Sequence, residues 1–169
     1  LASVAEIPVD NILAAGFECF HPNDRPQGCA DLLLYGQHPG VLTSLEFERL
    51  CSSTGPSGAR LERPGDGKPL RRIAWLQCVG SRDVKQNADF CSSICCMISV
   101  KEALLAKRLT HGQSEATIFY MDMRTFGRDY QRYRDEAENT AGVRFVPARP
   151  HTILPGPDND LLIQYYDYS

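Results

Sequence analysis

Hydrophobic residues fall in short blocks separated by polar punctuation, and the period of each block predicts its element. In the first part, "DNILAAGF" (10–17) reads as a short apolar strand ending at a Gly turn. Residues 21–40 carry Pro, Asn, Asp and Gly and read as loop. "TSLEFERLCSS" (43–53) opens with Thr43 and Glu46 at capping-box spacing, and Leu45, Phe47 and Leu50 then give a one-sided apolar helix. The Gly- and Pro-rich stretch 54–69 reads as a linker.

The second part is more regular. "RRIAWLQCVG" (71–80) is an apolar strand closing on Gly80, and 92–109 carries Ile94, Met97, Ile98, Ala103, Leu104, Leu105 and Leu109 at helical spacing. "ATIFYMDM" (116–123) predicts a strand, and 127–142 a polar helix stopped by Gly142. Val143 to Val146 forms a short strand, an extended piece follows, and 160–168 is a final strand after the turn at 155–159. The order is β-α-β-α-β followed by a hairpin-like pair. Helical crossovers between strands imply a parallel sheet with helices covering its faces. The expectation is an α/β, Rossmann-like three-layer domain over 71–169, preceded by a separate segment and linker over 1–70. The carboxyl ends of strands 71–79 and 116–122 would meet at one rim, where such folds place their sites.

The chain has 169 residues and a formal net charge of -3. Lys and Arg are scattered without a basic stripe, which speaks against a nucleic-acid partner. No apolar run reaches the roughly 18 residues of a membrane span. "LASVAEIPVD" lacks the features of a signal peptide, so a cytoplasmic setting is expected. The absence of an initiator Met points to a piece of a longer chain, or one whose beginning is missing.

Seven cysteines stand at 19, 29, 51, 78, 91, 95 and 96. The odd count argues against an all-disulfide framework, and adjacent Cys95 and Cys96 make poor disulfide scaffolding. Cys78 sits at a strand end; Cys91 lies just before the following helix or at its N-cap, and Cys95 and Cys96 lie in its first turns. If Cys91 and Cys95 are both helical they share a face. A helix N-terminus, with free N–H groups and partial positive charge, suits anionic thiolates. The pattern Cys-x12-Cys-x3-Cys-Cys has no CxxC pair of the kind structural zinc favours. An iron–sulfur cluster tolerates such irregular spacing. Zinc, or simply buried or redox-active thiols, remain the alternatives.

"IAWLQCVGSRD" (73–83), "FCSSICCMISVKEALLAK" (90–107) and "TIFYMDMRTFGRDYQRY" (117–133) resemble the A subunit of heterodisulfide reductases and its relatives in sulfate reducers. "NILAAGFECF" (11–20), "VLTSLEFERL" (41–50) and "GVRFVPARPHTI" (142–153) match that family in order, so the likeness covers nearly the whole chain. The resemblance implies a thioredoxin-reductase-like flavoprotein core, in which a FAD-binding part is interrupted by a domain of the nicotinamide-binding type. Residues 1–70 would then hold the end of the flavin-binding segment. The resemblance also implies that Cys78, Cys91, Cys95 and Cys96 ligate a 4Fe–4S cluster. That cluster would relay electrons to or from FAD within a complex of further subunits. Ala15, Gly16 and Phe17 would lie near the flavin's adenine dinucleotide. No GxGxxG occurs anywhere in the chain, so the expected flavin site is incomplete, and the chain is not expected to catalyse a full reaction alone.

Asp122 follows the second regular strand, where a ribose-binding acid would stand, although a capping or surface carboxylate fits the missing glycines better. Arg82 and Asp83 either tune the cysteine site or form a loop ion pair. Arg124 and Arg128 read as surface charge with a phosphate or a partner protein as the alternative, and Lys101 and Glu102 as a solvated helix face. His21, His38, His111 and His151 are dispersed and read as surface residues. Cys51 reads as packing on its helix; Cys19 and Cys29 read as incidental thiols, with a redox role as the alternative. No Ser-His-Asp or paired-carboxylate arrangement is legible. The reading that competes with electron transfer is a structural zinc-binding or metal-free interaction module on a degenerate Rossmann fold.

Overall fold

The structure is a computed structural model that describes residues 3–14 and 33–167. Its elements in chain order are β1 (Ser3–Val9), β2 (Asn11–Ala14), β3 (Val41–Thr43), α1 (Ser44–Cys51), β4 (Arg72–Leu76), α2 (Cys95–Leu109), β5 (Glu115–Phe119), α3 (Tyr130–Asn139), β6 (Arg144–Val146), β7 (Thr152–Pro155) and β8 (Leu161–Asp167). Short 3-10 turns lie at Val84–Gln86 and Pro157–Asn159. Two sheets result: a five-stranded parallel sheet in the order β3-β2-β4-β5-β6, and an antiparallel sheet in the order β1-β8-β7. β2 and β3, from before residue 70, extend the sheet on one side of β4.

Strand alternation sorts the layers. On β4, Ile73 and Trp75 join a core with Phe47 and Cys51 of α1, Val100, Ala103 and Ala106 of α2, and Ala137 of α3. Trp75 is fully buried, with the Phe47 ring edge-on at 5.8 Å. The residues that α2 buries here are small, which lets its backbone approach the sheet closely. Ala74 and Leu76 face the other way, into a core with Val9, Ile153, Leu161, Ile163 and Tyr165 of the antiparallel sheet. The Phe119 and Tyr165 rings meet there at 5.0 Å.

One expectation is refined. α1, α2 and α3 cover one face of the parallel sheet, while β1, β7 and β8 pack on the other together with Leu33, itself helical. Pairing of β1 with β8 (Ser3↔Asp167 through Val9↔Leu161) joins segments from opposite ends of the chain, a long-range pairing that local periodicity does not reveal.

The chain passes from one sheet to the other at Asp10, between β1 and β2. Its carboxylate accepts from the backbone N–H of Arg71 at 2.7 Å and of Arg72 at 2.6 Å. Arg63, only 5% exposed, reaches Asp160 at 2.7 Å, Asp10 at 3.7 Å and Asp66 through a forked contact. Arg72 adds a second bond to Asp160 at 2.7 Å. The amino end of the parallel sheet is thereby latched to the start of β8.

Candidate functional site

At the opposite, carboxyl end, β4 runs out at Leu76 and Gln77 still donates its N–H to Phe119 O at 3.0 Å. The chain then turns sharply: Cys78, Gly80 and Arg82 all take positive φ, at 61°, 74° and 55°. Left-handed backbone at non-glycine residues costs on the order of 1–2 kcal/mol each and tends to collect at working sites. The loop then folds back on itself. Arg82 N–H donates to Phe90 O at 3.1 Å, and Asp83 and Ala88 exchange backbone bonds of 2.8 and 2.9 Å. The Asp83 side chain caps the 3-10 turn by accepting from Lys85 N–H at 3.1 Å, and Arg149 approaches it at 3.5 Å. The twelve residues between Cys78 and Cys91 therefore form a small closed hairpin that begins and ends at the rim.

Cys91 precedes α2 by four positions and is not helical; Ser93 is left-handed at φ 62° and Ile94 is the N-cap. The shared helical face expected for Cys91 and Cys95 therefore does not exist. The loop, not helix periodicity, brings Cys91 toward the others. Cys95 and Cys96 open α2 and are buried, as is Cys78, while Cys91 is half-buried. A relay binds this end of β4 to α2: Gln77 Nε2 donates to Ser99 Oγ, which donates to Cys95 O at 3.0 Å.

The thiols act on one another. Burial raises the Cys78 pKa, Arg82 lowers it as hydrogen-bond donor and as charge, and the charges of Cys96 and Cys91 would raise it. Cys95 is strongly raised, first by its hydrogen bond to Cys96, then by burial and by the fields of Cys96, Cys78 and Cys91. Cys96 is lowered to about 6: the Cys95 hydrogen bond comes first, burial opposes it, and the Arg124 backbone N–H and the charges of Arg124 and Arg82 assist. Within the Cys95–Cys96 pair, negative charge thus settles on Cys96. Among the described residues no group of three or more His, Cys, Asp or Glu side chains stands at metal-binding spacing.

Asp122 makes ion pairs with Arg82 and, at 3.1 Å, with Arg124 Nε. Lys101 is exposed and bonds Glu48 at 2.6 Å, as a solvated residue would. Glu102 corrects the sequence reading: it is fully buried and accepts from Trp75 Nε1 at 2.8 Å. Its pKa is raised to about 8, chiefly by burial. Cys51 packs into the same core, and burial pushes its thiol up to about 12. Arg128 is almost fully exposed. His38 and His151 are half-buried rather than on the open surface, and burial followed by the Arg63 charge lowers the His38 pKa. Ala15, Gly16, Phe17, Cys19, His21 and Cys29 lie outside the described residues. Gln77, Ser99 and Arg124 lie inside the segments that carry the family resemblance, yet their residue types do not announce these contacts; a Gln just before a strand-end cysteine is the one available hint.

The arrangement defines a class: a mixed α/β domain whose parallel sheet presents a thiol-rich, arginine-flanked rim at its carboxyl end. No protein-family model matches the chain. Curated relatives do. It is 38% identical over 152 residues to the second iron-sulfur A subunit of CoB--CoM heterodisulfide reductase from Methanopyrus kandleri, covering 90% of this chain and 22% of that protein. It is 44% identical over 130 residues to the iron-sulfur A subunit of CoB--CoM heterodisulfide reductase from Methanocaldococcus jannaschii, covering 76% of this chain and 20% of that protein. It is 34% identical over 163 residues to the A subunit of H(2):CoB-CoM heterodisulfide,ferredoxin reductase from Methanothermobacter thermautotrophicus, covering 96% of this chain and 24% of that protein. The chain belongs to the family of heterodisulfide reductase A subunits. It spans between 20% and 24% of the length of these three relatives. Among the described residues no helix is long and apolar enough to cross a membrane.

Proposed function

We propose that this chain is the electron-transfer segment of a heterodisulfide-reductase-A-like flavoprotein, with Cys78, Cys91, Cys95 and Cys96 holding a 4Fe–4S cluster. The observation that supports this reading most is the mutual influence of the four thiols at one rim. The donor set fits the group: four sulfurs, no competing imidazole or carboxylate ligand among them, and flanking cations and N–H groups that favour thiolate. The strand order, with helices between parallel strands, supports a Rossmann-like reading of the fold. Residues 71–169 carry the cysteines, and 1–70, whose β1 to β3 join the same two sheets, would close a flavin-binding part. Iron–sulfur subunits named among the relatives support the cofactor class.

When bound, such a cluster accepts and returns single electrons. The residues supply the rest. Cys78, Cys91, Cys95 and Cys96 would hold the iron as thiolates, and of the adjacent pair Cys96 releases its proton more readily than Cys95. Burial of Cys78, Cys95 and Cys96 keeps bulk water from the sulfurs. Ala15, Gly16 and Phe17, together with sequence outside this chain, would hold FAD, which would supply the flavin partner for electron relay through the cysteine site. Other subunits of the complex, in the cytoplasm, would supply or take the electrons.

The test is metal analysis after anaerobic reconstitution. The expected result is brown protein with about four irons per chain and absorption near 400 nm, roughly as such clusters behave. Cys91→Ala should lose that iron, while Cys51→Ala, remote in the helix-side core, should retain it. Full iron loading of Cys91→Ala would overturn the ligand assignment. Zinc at about one per chain without visible absorption would favour the structural zinc module instead.

A further inference from the structure

The loop after β5 carries no cysteine, yet it reaches the sulfurs. Met123 packs against Cys95 and Cys96, and the charge of its neighbour Arg124 favours the Cys96 thiolate. From the other side, Arg82 stands on the loop that begins at Cys78, and its charge favours the thiolate forms of Cys78 and Cys96. The two arginines meet on one carboxylate: Arg82 Nη1 takes Asp122 Oδ1, and Arg124 Nε takes Asp122 Oδ2 at 3.1 Å. Asp122 is 48% exposed at its side chain, and an ion pair in that setting adds little to stability. Its geometric effect is larger. With one arginine on each oxygen, the carboxylate ties the hairpin loop after β4 to the loop after β5, beside Cys78 and Cys96. Arg82 is itself at φ 55°, so its backbone is held in a conformation that a free loop would leave.

We propose that Asp122 is a positioning residue that clamps Arg82 and Arg124 over the sulfurs, so that fixed positive charge meets negative charge arriving there. This rests on the cluster reading above. Two cations against one anion leave the clamp net positive toward the thiols. Arg82 therefore stabilises the more negative, reduced state of a centre bound to them. Asp122 contributes through Arg82 rather than by its own charge. A carboxylate acting only as a charge would do the reverse, since deleting an anion would favour the reduced state.

The opposite signs make a clean experiment. Reduction midpoints are measured by dithionite titration followed by EPR on the reconstituted chain, with iron counted in every variant. Arg82→Gln is expected to favour the oxidised form at least tenfold at fixed potential, which is about 59 mV for a one-electron couple. Asp122→Asn is expected to move the midpoint the same way, and to add nothing in the Arg82→Gln background. Asp122→Glu, which keeps the carboxylate, should restore most of the wild-type midpoint. A rise in midpoint with Asp122→Asn, or fully additive effects, overturns the clamp. If wild-type chain takes up no iron, the function proposed above fails, and the clamp is decided on the metal-free chain by iodoacetamide labelling read by mass for each cysteine. Slower labelling of Cys78 in both Arg82→Gln and Asp122→Asn then supports it; unchanged or faster labelling overturns it.

Discussion

At the amino end of the parallel strands Arg63 is shared among Asp10, Asp66 and Asp160, whereas at the carboxyl end Arg82 divides itself between one carboxylate and a thiol. The two ends use the same chemistry to different purposes. Arg63 and Asp10 are sealed, and their oxygens and N–H groups find partners in backbone and side chain alike. The carboxyl end leaves cations facing sulfur, and its left-handed non-glycine residues are Cys78, Arg82, Asn87 and Ser93, where the latch has Asp158 and Asn159. The carboxyl end also keeps Val84, Phe90, Ile94 and Phe126 in solvent. Where charges cancel within the fold they latch it; where they are left pointing at a reactive group they serve that group, and local stability is lower for it.

The sharpest way to break the comparison is to remove the latch. Arg63→Met deprives Asp10, Asp66 and Asp160 of a common cation. Losing one partner of a buried charge network costs about 3–5 kcal/mol. Arg63 lies close beneath the surface, so about 3 kcal/mol is expected, read as a lowered midpoint in urea denaturation. Iron uptake per folded chain should not change, because the latch is at the far end of the sheet from the cysteines. Parallel loss of iron at denaturant concentrations where the variant is still folded would show that the two ends are not separate.

Glu102 sharpens the comparison from between the ends. Asp10 and Glu102 are both buried carboxyls, but Asp10 has two backbone donors and two arginines. Glu102 has the Trp75 indole, and its Oε1 has no partner of good geometry. Burial, reinforced by Glu48, raises the Glu102 pKa from 4.5 to about 8; Trp75 and Lys101 oppose the rise. The native state therefore holds a proton that the unfolded chain releases. This group's contribution to stability is complete below about pH 4.5 and declines by roughly 1.4 kcal/mol per pH unit toward pH 8. Glu102→Gln keeps an acceptor for Trp75 and removes the titration. Its unfolding free energy, read by urea denaturation, should lie within about 1 kcal/mol of wild type near pH 5 and gain about 2–3 kcal/mol on it by pH 7. A difference that stays constant between those two pH values would refute the assignment of a protonated Glu102.

Much of this is legible from residue pattern, and the failures have a common physical source. The capping box at Thr43 and Glu46 and the apolar runs of β4 and β5 are local signals, and each lies where the pattern puts it. β1 escapes the pattern because "SVAEIPV" carries Glu and Pro, and it becomes a strand only by pairing with β8 near the other end of the chain. Glu102 misleads because Lys-Glu on a helix normally faces water. Here the helix turns its small residues, Ala103 and Ala106, toward the sheet and takes Glu102 with them, while Leu104 and Leu105 are only partly buried. At the rim, the four cysteines stand out in the sequence, but no choice of residue type announces that Arg124 acts on Cys96.

The smallest expected effect tests whether the carboxyl rim also depends on ordinary local capping. Thr43 ends β3 at this same rim and begins α1. Its Oγ1 accepts from Glu46 N–H at 3.3 Å, while Glu46 Oε2 accepts from Thr43 N–H at 2.6 Å. Thr43→Ala removes one arm of that box and should cost about 1 kcal/mol. That is well below the Arg63 effect, because the contact is exposed and Glu46 can still accept from the Thr43 backbone. α1 contributes Phe47 to the Trp75 core but no group to the thiols. The loss should therefore appear in the urea midpoint and leave the iron content and reduction midpoint of the cysteine site at their wild-type values. If Thr43→Ala instead shifted the reduction midpoint, the rim would behave as one mechanical unit from β3 to β5. The clamp at Asp122 would then be only one of several supports for the sulfurs.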